Sequence, residues 1–244
     1  MEESVNGLTE ALALEPREHL ALVGGGGKTS LMFALAEELS RKKRRIVTST
    51  TTKIWHQEAL SSSCVIFTQS SSTWMDNLRE GLKIHGHVFL TQNLLDSGKV
   101  RGISSSLADD LYQDHGIDYM LVEADGSARH PVKAHAENEP VIPASVTKVV
   151  AMLGLEALGK QMVQETVFRV DSFQKLTGLK PGQKLTTPVL AKLFLDPGGL
   201  FKGTPQSAKR VVFLNKLDLL SEEREAMELA NLIIDDPEKQ IDRV

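Results

Sequence analysis

The chain has 244 residues, with 28 Lys+Arg against 32 Asp+Glu, seven His, one Cys and 41% apolar residues, the size and composition of one ordinary globular domain. A formal net charge of −4 without long blocks of one sign gives no positive field for a phosphate backbone, so nucleic acid is not an expected partner. Cys64 alone closes no disulfide within the chain, no apolar run approaches the roughly 20 residues that cross a bilayer, and the start MEESVNGLTEALALEP lacks the regions of a signal peptide, so the expected location is the cytoplasm.

Taken in chain order, HLALVG reads as a first strand. It runs into Gly24-Gly25-Gly26-Gly27-Lys28-Thr29-Ser30, and SLMFALAEELS then repeats Leu31, Leu35 and Leu39 every four residues, the apolar stripe of a helix. Five basic residues, Arg41 to Arg45, close that helix, where cations complement the helix dipole. The runs RRIVTSTTT, SCVIFT, HVFL, DYMLVEADG, KVVAML and RVVFLNKLD follow as further strands between helical stretches. This alternation predicts an α/β fold, a mostly parallel sheet flanked by helices. Cys64 enters one strand and reads as an inert buried thiol, while His85 and His87 read as solvated histidines without a third metal ligand nearby. Between Ser127 and Ser207 the pattern loosens, with most of the prolines and a short helix opened by Thr187 and Pro188 and stopped near Gly198 and Gly199. Residues 127–207 are therefore expected to form an irregular lid or partner-binding segment within a single nucleotide-binding domain over 1–244. The chain ends at Asp242-Arg243-Val244, which reads as the start of one more strand.

Three pieces carry chemistry. A glycine-rich loop between a strand and a helix lets backbone N–H groups and the helix N-terminus cradle an anion, so Gly24, Gly25, Gly26, Gly27, Lys28, Thr29 and Ser30 are candidate phosphate contacts. Lys28 would reach the β and γ phosphates and Thr29 would offer its hydroxyl to Mg²⁺. Leu22 stands where the general phosphate-loop pattern has its first glycine. The second piece is the strand ending Glu123-Ala124-Asp125-Gly126, whose two carboxylates point to one face in extended chain and are expected to hold the metal and orient a water. The third is Asn215-Lys216-Leu217-Asp218 after a late strand, an arrangement that reads guanine through the carboxylate and packs the lysine stem on the base. Lys28, Glu123 and Asp125 are the candidate catalytic residues, and Thr51, Thr52 and Lys53 are further candidates beside the phosphates.

On VGGGGKTSLM, TSTTTKIW, LVEADGSARHPVKAHAENEPVIP, MLGLEALGK, LDPGGLFKG and FLNKLD, which span nearly the whole chain in order, the sequence resembles the selenium-dependent hydroxylase accessory proteins of the YqeC type. The resemblance implies a P-loop NTPase-like fold and a part in maturing selenium-dependent molybdenum hydroxylases. The loop is also similar to the phosphate loop of the SIMIBI class, with Val23 where that class has an extra lysine. The function expected is Mg²⁺-dependent binding and hydrolysis of GTP or ATP by an accessory factor. Two alternatives stay open, a small-molecule kinase or ligase with Arg129, His130, Lys133, Glu137 and Glu139 around the acceptor, and a non-catalytic nucleotide-binding scaffold. The oligomeric state is also open.

Overall fold

The computed structural model describes residues 7–238 and 240–244; the first six residues of the stretch read for a leader lie outside them. Seven strands make one sheet: β1 (Glu18–Gly24), β2 (Ile46–Thr50), β3 (Val65–Phe67), β4 (His87–Thr91), β5 (Tyr119–Glu123), β6 (Lys148–Gly154) and β7 (Lys209–Asn215). Their order is β7-β6-β1-β5-β2-β4-β3, and the pairs β6/β7, β2/β5, β2/β4 and β3/β4 are parallel. Every residue of β1, β2, β4, β5 and β6 is buried. Burial on both faces is the reason β1, β5 and β6 read as largely apolar runs and not as alternating ones, while β2 buries Thr48, Ser49 and Thr50 as well. The fold is the expected α/β one, a mostly parallel sheet with helices α1 (Lys28–Arg41), α2 (Trp74–His85), α3 (Ser105–Gln113), α4 (Val170–Thr177), α5 (Thr187–Leu195) and α6 (Glu223–Ile234).

The chain divides into two compact units. The first comprises the described residues up to Ala21, with Thr29–Ala124 and Val141–Thr147. Its core packs Val47, Val88, Leu90, Met120 and Val122 of the sheet against Leu78 and Leu82 of α2 and Ala108 and Leu111 of α3. Leu31, Leu35 and Leu39 of α1 are buried as their spacing predicts. The basic run closes that helix as expected, with Arg41 paired to Glu37, Lys42 to Glu38, and Arg45 to Asp118 at 2.8 Å. Lys53–Trp55, Lys99–Arg101 and Asn93–Leu94 form a small antiparallel sheet that the apolar runs did not announce.

The second unit comprises Leu22–Lys28, Asp125–Pro140 and Lys148–Val244. Pro188 sits in the first turn of α5, where a missing N–H costs nothing, and Leu190, Leu193 and Phe194 are buried. Thr187 Oγ1 donates to Glu228 Oε1 of α6 at 2.8 Å. Within 127–207 the KVVAML run is the fully buried β6, and the short helix opened by Thr187 and Pro188 is α5, with one face buried. Arg243 bridges Val211 in parallel fashion, continuing the strand-like ending read in the sequence.

Two smaller expectations meet different outcomes. Cys64 is free and half-buried against the first unit's core, and burial pushes its thiol pKa up. His85 is exposed as expected but closes α2, whereas His87 is buried, with Nε2 2.8 Å from Thr48 Oγ1. A histidine at the start of a strand covered on both faces is enclosed whatever its polarity, which a local sequence window does not reveal.

Candidate functional site

The phosphate loop follows β1 directly, and α1 begins at Lys28. In the second unit the loop lies tight against the end of β6. Gly25 N donates to Met152 O at 3.0 Å and Gly26 N donates to His130 O at 3.0 Å. Gly26 has φ +79°, and a Cβ there would strike the backbone of Gly154. Asn215 locks the other side, its Nδ2 donating to Gly26 O at 2.8 Å while its Oδ1 accepts from Lys216 N at 2.9 Å. The N–H groups of Gly24, Gly25 and Gly26 serve protein acceptors, whereas the N–H groups of the first turn of α1 have no intrahelical partner.

Lys28 is buried. Its Nζ donates to Gly24 O at 2.6 Å and lies 3.1 Å from Asp125 Oδ1. Asp125, expected at a metal, is instead fully enclosed by donors of the second unit. Its Oδ2 accepts from Gly24 N at 2.9 Å and from His135 Nε2 at 2.7 Å, with Lys133 Nζ at 3.3 Å. Oδ1 meets Lys28 as an ion pair without hydrogen-bond geometry. Burial alone would raise this carboxyl's pKa, but the charge of Lys28, the hydrogen bond from His135 and the charge of Lys133 together hold it far below the ordinary carboxylate range. Lys133, itself buried, also donates to Gly126 O at 2.7 Å and to Glu139 Oε2 at 2.9 Å. Arg169 clasps Glu139 through both carboxylate oxygens, at 2.7 and 3.1 Å. Burial opposes ionisation of Glu139, and Arg169 and Lys133 outweigh it and lower its pKa.

In the first unit, Thr29 Oγ1 donates to Glu123 Oε2 at 2.7 Å, joining residues 94 apart in sequence. Glu123 is 5% exposed, and its backbone carbonyl accepts from Thr50 Oγ1 and from Thr51 N. Thr52 Oγ1 lies 3.0 Å from Thr50 Oγ1, and Lys53 is exposed. Ser30 is exposed in the first turn of α1. Thr29 and Glu123 form a pair of hard oxygen donors of the kind Mg²⁺ takes alongside substrate phosphates and water. Among the described residues no group of three or more His, Cys, Asp or Glu is gathered for a metal.

The late-strand motif is also positioned. Lys216 adopts the left-handed conformation with φ 62°, and its Nζ pairs with Glu156. Asp218 is exposed in the turn that follows. Of the residues placed around an acceptor, Lys133 and Glu139 are tied into the Asp125 network, and His130 Nε2 faces Gln164 O at 2.7 Å, while Arg129 and Glu137 are exposed. Sequence reasoning missed His135 and Glu156. Lys133 and His135 lie two apart in an extended stretch that also holds Val132, a period-two signal that could have placed both on one face.

Among solved structures, chloroplast FtsY from Physcomitrella patens aligns with 98% of this chain and 62% of its own length, at 11% identity and a TM-score of 0.44. The signal recognition particle 54 kDa protein from Aeropyrum pernix K1, in complex with GDP, aligns with 94% of this chain and 42% of its own length, at 14% identity and a TM-score of 0.39. YqeC of Escherichia coli strain K12 is 35% identical over 205 residues, which is 81% of this chain and 75% of that protein. The family model for YqeC protein matches residues 20–171, from the first strand through the phosphate loop, the Glu123–Asp125 strand end and β6 to the start of α4. By both measures the chain belongs to the YqeC family.

Proposed function

We propose that this chain binds a nucleoside triphosphate with Mg²⁺, prefers guanine, and hydrolyses the γ-phosphate in the service of a partner, in keeping with its resemblance to accessory factors of selenium-dependent molybdenum hydroxylases. The observation that carries this reading is the Thr29 Oγ1 to Glu123 Oε2 hydrogen bond of 2.7 Å, which joins the hydroxyl after the loop lysine to the acid at a strand end. Mg²⁺ held there would neutralise charge on the phosphate oxygens. Lys28 supplies a second positive charge to the phosphates, and the first turn of α1 supplies N–H donors. Asn215 braces the loop, Lys216 offers its stem to the base, and Asp218 accepts from the guanine edge. Asp125 acts on Lys28 and not on the metal, since Gly24 N and His135 Nε2 hold its Oδ2 and the ammonium groups of Lys28 and Lys133 lie against it as ion pairs. Hydrolysis is preferred over transfer to a small acceptor because Lys133, Glu139 and His130 are engaged in internal bonds.

The test is thermal unfolding with GTP, ATP, GDP and ADP, with and without Mg²⁺, together with phosphate release. A ligand at 100 times its dissociation constant stabilises by about 2.7 kcal/mol, which such a panel resolves. The expected result is a Mg²⁺-enhanced shift with GTP that Lys28→Ala abolishes, and phosphate release without an added acceptor. No shift with any nucleotide, or an equal shift in Lys28→Ala, would overturn the assignment. Binding without phosphate release would point to the scaffold. Copurification with a molybdenum hydroxylase that depends on nucleotide tests the partner.

A further inference from the structure

Two cations from different segments converge on Asp125, and they differ in what else they can reach. Lys28 belongs to the phosphate loop, and in the nucleotide reading it turns to the phosphates. Lys133 has a completely buried side chain, held by Gly126 O at 2.7 Å and Glu139 Oε2 at 2.9 Å, with Glu139 in turn clasped by Arg169. Lys133 therefore stays when Lys28 leaves. Asp125 is 0% exposed, and a carboxylate so enclosed is strongly destabilising once stripped of its last cation. The departure of Lys28 is tolerable only because Lys133 at 3.3 Å, His135 Nε2 at 2.7 Å and Gly24 N at 2.9 Å remain. His135 is itself fixed, its Nδ1 lying 3.1 Å from Gly199 O.

We propose that Asp125 latches Lys28 in the nucleotide-free chain and that Lys133, supported by His135, is the standing counter-ion that lets the latch open. Lys133 and His135 are then positioning residues of the phosphate site, although neither belongs to the phosphate loop. This rests on the nucleotide reading above and adds to it a rule for how the site is set. The latch competes with the phosphates for one ammonium group. Removing the negative charge of Asp125 frees Lys28 and favours the triphosphate. Removing the positive charge of Lys133 leaves Lys28 as the remaining lysine on Asp125 and opposes the triphosphate. The two substitutions act in opposite directions on a ligand that neither residue touches. A metal ligand would behave otherwise, since loss of its charge weakens the Mg²⁺-dependent complex.

The experiment measures binding of a non-hydrolysable GTP analogue with Mg²⁺ to the full chain as wild type, Asp125→Asn, Lys133→Met, Lys133→Arg and His135→Gln, with thermal unfolding of each. Asp125→Asn is expected to bind about tenfold tighter and Lys133→Met about tenfold weaker, at the low end for a charge-assisted contact. Lys133→Arg should restore most of what Lys133→Met loses, and His135→Gln should fall between wild type and Lys133→Met. Shifts of the same sign in Asp125→Asn and Lys133→Met, or unchanged affinity in Lys133→Met, would overturn the latch. Should Asp125→Asn fail to fold, the Lys133→Met and Lys133→Arg pair decides alone, because a purely structural lysine would change unfolding temperature without changing affinity in the folded protein. A wild-type chain that binds no triphosphate would overturn the nucleotide reading and the latch with it, whereas wild-type binding with insensitive variants would overturn the latch alone.

Discussion

Two carboxylates two residues apart end with unlike surroundings, and the difference lies in where the strand stops. Glu123 is the last residue of β5 and takes the Thr29 hydroxyl, while Asp125 is past the strand end and takes two lysines, a histidine and a backbone N–H. The pattern in the sequence treats them as equivalent, because period two in an extended chain aligns them. Once the strand ends at Glu123, that equivalence lapses. Asp218 contrasts with both, being exposed in the turn after a left-handed Lys216 whose ammonium group is held by Glu156. A carboxylate placed so is available to a ligand edge carrying two donors, which guanine has, while adenine would oppose an acceptor nitrogen to it. GTP is therefore expected to bind more tightly than ATP by roughly one to two orders of magnitude, the weight of a buried polar mismatch. In Asp218→Asn guanine should weaken and xanthine gain, because its edge carries an oxygen where guanine has its amine. Competition among GTP, ATP and XTP for wild type and variant checks this; equal GTP and ATP affinity with no gain for XTP would make Asn215 to Asp218 a simple turn.

At the scale of elements, much was legible because burial wrote itself into composition. The seven apolar runs are the seven strands of the sheet, and the leucine spacing after the loop is the buried stripe of α1. What stayed illegible depends on contacts between distant segments. The strand order, the small antiparallel sheet, and the meeting of Lys133, His135 and Arg169 around Asp125 and Glu139 leave no local period to read. Within 127–207 the apolar run KVVAML was legible as β6, while the proline-bearing connections on either side of it carried no period to read. The phosphate loop is held by several backbone contacts, and at Gly26 one of them leaves no room for a side chain. Gly26 has positive φ and lies against the end of β6, so a methyl group there meets backbone on one side and an unfavourable dihedral on the other. Gly26→Ala should abolish nucleotide-dependent stabilisation while the chain still unfolds cooperatively, since the clash is confined to the loop and Gly154. Calorimetry with and without GTP and Mg²⁺ separates the two effects, and a variant that binds as wild type does would show that the loop can close without this contact.

For the molecule as a whole, the buried titratable groups set a pH response that needs no ligand. His19 and His87 are both enclosed, and burial lowers each from 6.5 to about 4, with Asp109 partly offsetting this for His19. His19 Nδ1 lies 2.9 Å from Ser145 Oγ, but its Nε2 is buried without a hydrogen-bond partner, so a proton there would add an unsatisfied donor to the interior. The folded chain thus keeps both rings neutral where the unfolded chain protonates them. The unfolded state binds more protons between pH 6.5 and 4, so stability is fully present above pH 6.5 and declines as pH falls toward 4. Each ring contributes a slope of up to about 1.4 kcal/mol per pH unit in that window. The carboxylates act lower. Glu38 is held at about 2, its burial outweighed by hydrogen bonds from Thr9, Lys42 and Leu8, and Asp125 and Glu139 are also lowered, so their contribution disappears at still more acidic pH. Denaturant unfolding is expected to be flat from pH 8 to 6.5, to weaken with a slope of about two protons toward pH 4.5, and to steepen below 4. His87→Gln, which keeps a polar partner for Thr48 without a titratable ring, should cut the intermediate slope by about half while leaving the acid limb in place. An unchanged slope in the variant would mean that His87 already carries its proton in the folded chain, in conflict with its enclosure beside Phe33 and Thr48.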